Sequence, residues 1–176
     1  MDAFTEVAPQ KNTFHRIYLT ILLWFLGRAI QAASRVDREV RKEFERMPGT
    51  YTFSLGAFPR GPYMVIGKDG QGIVRYLGSD IDKQEVHLQI TLKSMALFFV
   101  LLTFEESTPT ANARDRMTVS GDVPQACAAV RILDIVQVYL LPKFIAKRAI
   151  KRYPEWSLKR HTVDRALVYI RTLIGR

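Results

Sequence analysis

A chain of 176 residues, 48% of them hydrophobic and with a single cysteine, has the size of one domain with extensions and enough apolar side chain for a sizeable core. Cys127, being alone, excludes an internal disulfide and any cysteine-based metal cluster, and points to a reducing compartment. The formal net charge of +9 is concentrated late in the chain: Lys143 to Arg176 holds ten basic residues against two acids, Glu155 and Asp164, a balance that suits anionic lipid or nucleic acid.

Residues 1–12 read as a leader with two acids and no basic stretch. The apolar run that follows ends at Gly27-Arg28 without a small-residue cleavage pattern, so secretion is not expected. From Phe14 to Glu45 there is no proline, and apolar residues recur near the helical period at Ile17, Leu22, Leu26, Ile30, Ala33 and Val40, which predicts one helix ended by Met47-Pro48-Gly49. Its first half is apolar nearly all round and is expected to pack or dock; its second half carries charges of both signs and is expected to be solvated. The run Ile17–Leu26 would rise about 15 Å as a helix, against about 30 Å of bilayer hydrocarbon, so it cannot span alone.

At Tyr51 the period changes to two. Tyr51, Phe53 and Leu55 alternate with small or polar residues, and Tyr63–Ile66 and Ile73–Leu77 flank a turn in which Asp69-Gly70 supplies the positive-φ positions of a hairpin. A fourth strand is expected with Val86, Leu88, Ile90 and Leu92 on one face and His87, Gln89 and Thr91 on a wet one. Leu92 to Phe104 then reads as a helix with almost no polar side. Such a helix has to be enclosed by protein, by a lipid ligand or by membrane.

Ser107 and Thr108 can cap a short helical turn, and Arg116–Ser120 reads as a fifth strand. A helix from Gly121 to Leu140 is predicted with Asp122 as its cap, Pro124 in its first turn and Gln125 completing a capping box. The alanines around Cys127 predict a buried packing thiol. Beyond Pro142, a basic helical segment covers Lys143–Arg152, and after Pro154 an amphipathic helix from Ser157 places Val163, Ala166, Leu167, Ile170 and Ile174 on one stripe.

No catalytic constellation and no metal site is expected. His15, His87 and His161 stand in different elements without a second ligand at metal spacing, and there is no nucleophile elbow, phosphate loop or dinucleotide fingerprint. Glu105-Glu106 is the one carboxylate pair beside an apolar wall; it is read as a solvated helix end, with a ligand head group as its alternative partner. Tyr153, Trp156 and Tyr169 stand among the bases of the tail. They flank apolar stripes and form no stacking platform, so the tail is read as facing a membrane in preference to nucleic acid.

The predicted order gives an α+β domain, a five-stranded mostly antiparallel sheet with helices on one side. Within it, the segment Glu85 to Leu97 followed by Arg116 to Ala126, with its Ser120-Gly121-Asp122, resembles the sterol carrier protein type 2 family over roughly Thr50 to Leu140. Two features depart from that family: Asp115 stands where it usually has glycine before the short strand, and the tail beyond Pro142 lies outside its pattern. The apolar first helix and basic end are similar to bacterial, membrane-linked members such as accessory lipid-binding factors of ubiquinone biosynthesis.

The resemblance implies a hydrophobic tunnel between sheet and helices that takes a fatty acyl, sterol or isoprenoid chain, with no chemistry and no cofactor of its own. On this expectation Leu97, Phe98, Val100, Leu101 and Phe104 line the tunnel, with Ile132, Val136 and Leu140 from the following helix. Ile17, Leu22, Trp24, Phe25, Lys147, Lys151 and Trp156 are the expected membrane contacts. Residues 1–49 form the leader and first helix, 50–141 the lipid-binding core, and 142–176 the basic tail. The chain is thus expected to be a non-enzymatic lipid carrier, cytoplasmic and held peripherally at the inner membrane. The alternative is a scaffolding subunit whose apolar helices meet a protein partner or a second copy.

Overall fold

The computed structural model describes residues 13–58, 61–102, 108–140 and 164–175. The period-two segments form β1 (Tyr51–Ala57), β2 (Tyr63–Lys68), β3 (Val74–Gly78), β4 (Leu88–Leu92) and β5 (Met117–Ser120), in the order β3-β2-β1-β4-β5. The central pair, β1 and β4, runs parallel with Leu55 opposite Ile90, while the other three pairings are antiparallel. Alternation places Phe53, Leu55, Met64, Ile66, Leu88, Ile90 and Leu92 on the helix side of the sheet, all buried. The other face is not wet throughout as expected: Thr118 and Ser120 are exposed and Thr52 and Gln89 half-buried, but Ser54, Val65 and Thr91 are buried. There the ring of Tyr63 lies over Gly56, so close that a Cβ at Gly56 would fall 2.1 Å from it.

The helices are α1 (Thr13–Val36), α2 (Arg38–Glu45), α3 (Met95–Leu102), α4 (Thr108–Ala113), α5 (Val123–Leu140) and α6 (Arg165–Ile174). The α1 helix is continuous over 24 residues, roughly 36 Å, and with α5 is one of two described helices long and apolar enough to cross a membrane by length and composition. It packs on the domain, burying Leu19, Leu23, Leu26, Ala29, Ile30 and Ala33 in the one core that also holds the sheet and α5.

The expected single helix through Glu45 is broken at Asp37. The backbone there is extended (φ −95°, ψ 124°), and Asp37 Oδ1 accepts hydrogen bonds from the N–H groups of Glu39 (2.7 Å) and Val40 (3.2 Å), capping α2. The Tyr139 hydroxyl of α5 donates to the other carboxylate oxygen. Carbonyls freed at the helix ends are met from elsewhere: Arg41 donates to Arg35 O at 2.8 Å, and buried Lys68 of β2 donates to Phe44 O (2.8 Å) and Met47 O (2.9 Å). The break is stabilised locally, by Asp37 capping α2 and Arg41 meeting Arg35 O, and from a distance by Tyr139, which holds the capping carboxylate.

Candidate functional site

The greasy segment does form a helix, shorter than expected: α3 runs from Met95 to Leu102 with no polar side chain in it. Ser94 starts it, its hydroxyl accepting from Leu97 N–H at 3.2 Å. Phe98 and Leu101 are buried, whereas Leu97, Phe99 and Val100 are only half-buried. Beneath α3, between α1, α5 and the sheet, lies an apolar void of about 10 Å³ lined by Leu26, Leu55, Ile90, Leu101, Met117, Val130, Leu133 and Gln137. That space takes about one water.

Of the expected lining residues, Leu101 faces the void. Phe98, Ile132 and Val136 are fully buried in the surrounding core, Leu97, Val100 and Leu140 are half-buried, and Phe104 lies outside the described residues. On α5 the void is met by Val130, Leu133 and Gln137, one helical face round from Ile132 and Val136. Sequence reasoning missed these because α5 is apolar on most sides. Gln137 was the available signal: a polar residue on a helix face shared with Val130 and Leu133.

Two local expectations are corrected, and one departure from the family is explained. Cys127 is exposed, since α5 turns it away from the sheet. The capping box is not formed: Gln125 Oε1 is buried without a hydrogen-bond partner. Asp115, at the position of the family's glycine, adopts the left-handed backbone (φ 54°) that glycine would supply, as aspartate tolerates better than most residues, and its carboxylate pairs with Lys93.

Among the described residues no three of His, Cys, Asp and Glu gather as metal ligands. His15 stands edge-on to Phe99, and exposed His87 stacks on Tyr51 while its Nδ1 accepts from Thr52 N–H at 3.2 Å. His161, Glu105 and Glu106 lie outside the described residues. On α5, half-buried Asp134 sits between the turns of Val130 and Gln137, and burial pushes its carboxyl up to about 6.

The expected membrane contacts divide. Ile17 and Trp24 are exposed on α1, Leu22 packs against the core, and half-buried Phe25 meets Tyr169 of α6, their ring centres 6.5 Å apart. Lys147, Lys151 and Trp156 lie outside the described residues. Also exposed, and not anticipated, are Phe14, Tyr18 and Ile21 of α1 and Leu173 of α6, while Leu167, Ile170 and Ile174 show that the stripe read on α6 faces outward.

No protein-family model matches the chain, and no curated protein matches it. Among solved structures it is similar to apo sterol carrier protein 2 from Yarrowia lipolytica, at 17% identity over 66% of this chain and 90% of that one, with a TM-score of 0.46. It is also similar to the ubiquinone synthesis protein UbiJ-SCP2, at 14% identity over 73% and 99%, TM-score 0.41. A third likeness is to sterol carrier protein domain 2 of Helicoverpa armigera, at 16% identity over 75% and 94%, TM-score 0.39.

Proposed function

We propose that this protein is a non-enzymatic lipid carrier that holds a long-chain apolar molecule, of fatty acyl, sterol or hopanoid-like, or isoprenoid quinone type, between α3, α5 and the sheet. The observation that carries the reading is α3 itself: an eight-residue helix without a polar side chain that borders an apolar void through Leu101 and leaves Met95, Leu97, Phe99 and Val100 half-covered. A ligand chain of a dozen carbons leaving water gains on the order of 10 kcal/mol at about 0.8 kcal/mol per methylene, enough to offset parting α3 from α5. Gln137 is the polar group on this wall, and its amide suits a hydroxyl, carboxyl or quinone oxygen. The carrier works at the cytoplasmic face of an inner membrane, where its ligand resides, with Ile17, Trp24, Lys147, Lys151 and Trp156 among its contacts.

The test is native mass spectrometry of the full chain after gentle extraction, followed by identification of any copurifying lipid. One lipid per protein supports the carrier. A lipid-free, stable oligomer supports instead a scaffolding subunit, the reading favoured by the outward apolar stripe of α6.

A further inference from the structure

We infer that α6 and the outer stripe of α1 form one docking face for an anionic bilayer, a proposal that deepens the carrier reading by naming the surface on which it meets its membrane. Helix α6 is built the wrong way round for a core helix. It buries Val168 and Thr172, while every exposed position in it is apolar: Ala166, Leu167, Ile170, Leu173 and Ile174, with Leu173 68% and Ile174 65% exposed. An amphipathic helix laid on a soluble core ordinarily turns such a stripe inward.

The inversion is held in place by polar contacts. The Tyr169 hydroxyl donates to Leu140 O at 2.8 Å, Gln31 to Gly175 O at 3.3 Å, and Arg28 to Leu173 O at 3.4 Å. Arg28 also lies over the Trp24 ring, 4.9 Å from its centre, so one guanidinium joins the exposed stripe of α1 to that of α6. On α1, Phe14, Ile17, Ile21 and Trp24 recur at three- and four-residue spacing, with Phe14 75% and Ile21 62% exposed.

Charge decides the occupant. Neither helix contains an acid, while α1 exposes Arg16 and Arg35, and half-buried Arg28 of α1 and Arg165 and Arg171 of α6 flank the stripe. A second copy packed across a two-fold axis would set this basic surface against itself. A bilayer with acidic head groups complements it, and a tryptophan beside an arginine is the composition of an interfacial helix.

The experiment is co-sedimentation of the full chain with vesicles of phosphatidylcholine alone and of phosphatidylcholine with phosphatidylglycerol. The protein should sediment with the phosphatidylglycerol vesicles at least tenfold more tightly than with phosphatidylcholine alone. Ile170→Glu with Leu173→Glu should cut that binding at least tenfold. Both positions are exposed, so the melting temperature and any copurified lipid should be unchanged, whereas Leu77→Glu on the sheet should bind like wild type. Undiminished sedimentation of the double variant would overturn the proposal, leaving attachment to other parts of the chain. So would a stable dimer without vesicles that the same variant makes monomeric, since the face would then belong to a second copy. Loss of vesicle binding with lipid still copurifying separates docking from carriage.

Discussion

Leu133 stands on the wall of the central void, and shortening it tests whether that place in the fold accepts an apolar guest. Leu133→Ala removes three carbons, widening a void of about 10 Å³ to one on the order of 90 Å³. At about 24 cal/mol per Å³ the added cavity costs about 2 kcal/mol, and the lost transfer energy of the side chain about 2 more. The empty variant should therefore unfold about 4 kcal/mol more easily, which for a chain of this size is a melting temperature lower by about 8–16 °C. A void of this size, apolar except for Gln137, admits small apolar guests. Added hexadecanoic acid, whose chain can now enter without parting α3 and α5 as far, should raise the melting temperature of the variant more than that of wild type; saturation at a hundredfold excess over the dissociation constant gives about 2.7 kcal/mol. Thermal melts with and without the fatty acid read both quantities. A cost below about 1 kcal/mol, or recovery no larger than in wild type, would refute the reasoning.

Other residues give sharper tests of the frame around the void. Asp134, pushed up to about 6 by burial, keeps its proton in the folded state over the window from about 3.8 to 6 in which the unfolded chain has released it. Stability should therefore fall as pH rises through that window; Asp134→Asn should leave stability unchanged at pH 4 and raise it at pH 7 by about 1–2 kcal/mol after discounting for the half-exposed carboxyl. Urea titrations of both proteins at the two pH values check this, and an equal difference at each would refute it. Lys68→Met keeps the buried stem but removes both donors from the end of α2, and should cost about 2 kcal/mol, seen as a melt lower by about 4–8 °C. Gly27→Ala would place a Cβ 2.5 Å from the Tyr76 ring, and the Tyr76 backbone is held in place by its N–H donating to Gln31 Oε1 at 2.8 Å. Despite alanine's higher helix propensity it should destabilise by about 1–3 kcal/mol, and a neutral denaturation midpoint would show that the ring gives way freely.

Where one side of an element meets water, its local sequence was sufficient. Leu88, Ile90 and Leu92 alternate with Gln89 and Thr91, so β4 could be placed and oriented from its letters. The resemblance to sterol carrier proteins followed from the same segment. The β2–β3 hairpin was legible too, but its left-handed residue is Gly72 (φ 81°) and not the expected Asp69-Gly70 pair, because Gly72 N–H closes the turn on Asp69 O at 2.9 Å. Where an element is apolar all round, no letter sets its rotation. Hence the rotation that turns Val130, Leu133 and Gln137 of α5 toward the small void, and buries Ile132 and Val136 in the core, had no local signal, and Cys127, read as buried, is exposed. The break at Asp37 escaped notice because neither proline nor glycine marks it.

Local pattern alone therefore established that this chain builds a sheet with one apolar face, an apolar α3 and a basic end, because hydrophobic period and charge are carried by neighbours in the sequence. Tertiary packing alone decided that β1 pairs in parallel with β4, that Asp37 meets Tyr139 across the domain, and that α6 turns its leucines and isoleucines outward. Each of those outcomes compares whole packing arrangements: the side chain that buries most, or the carbonyl that finds a donor, is identified only once distant segments have been brought together.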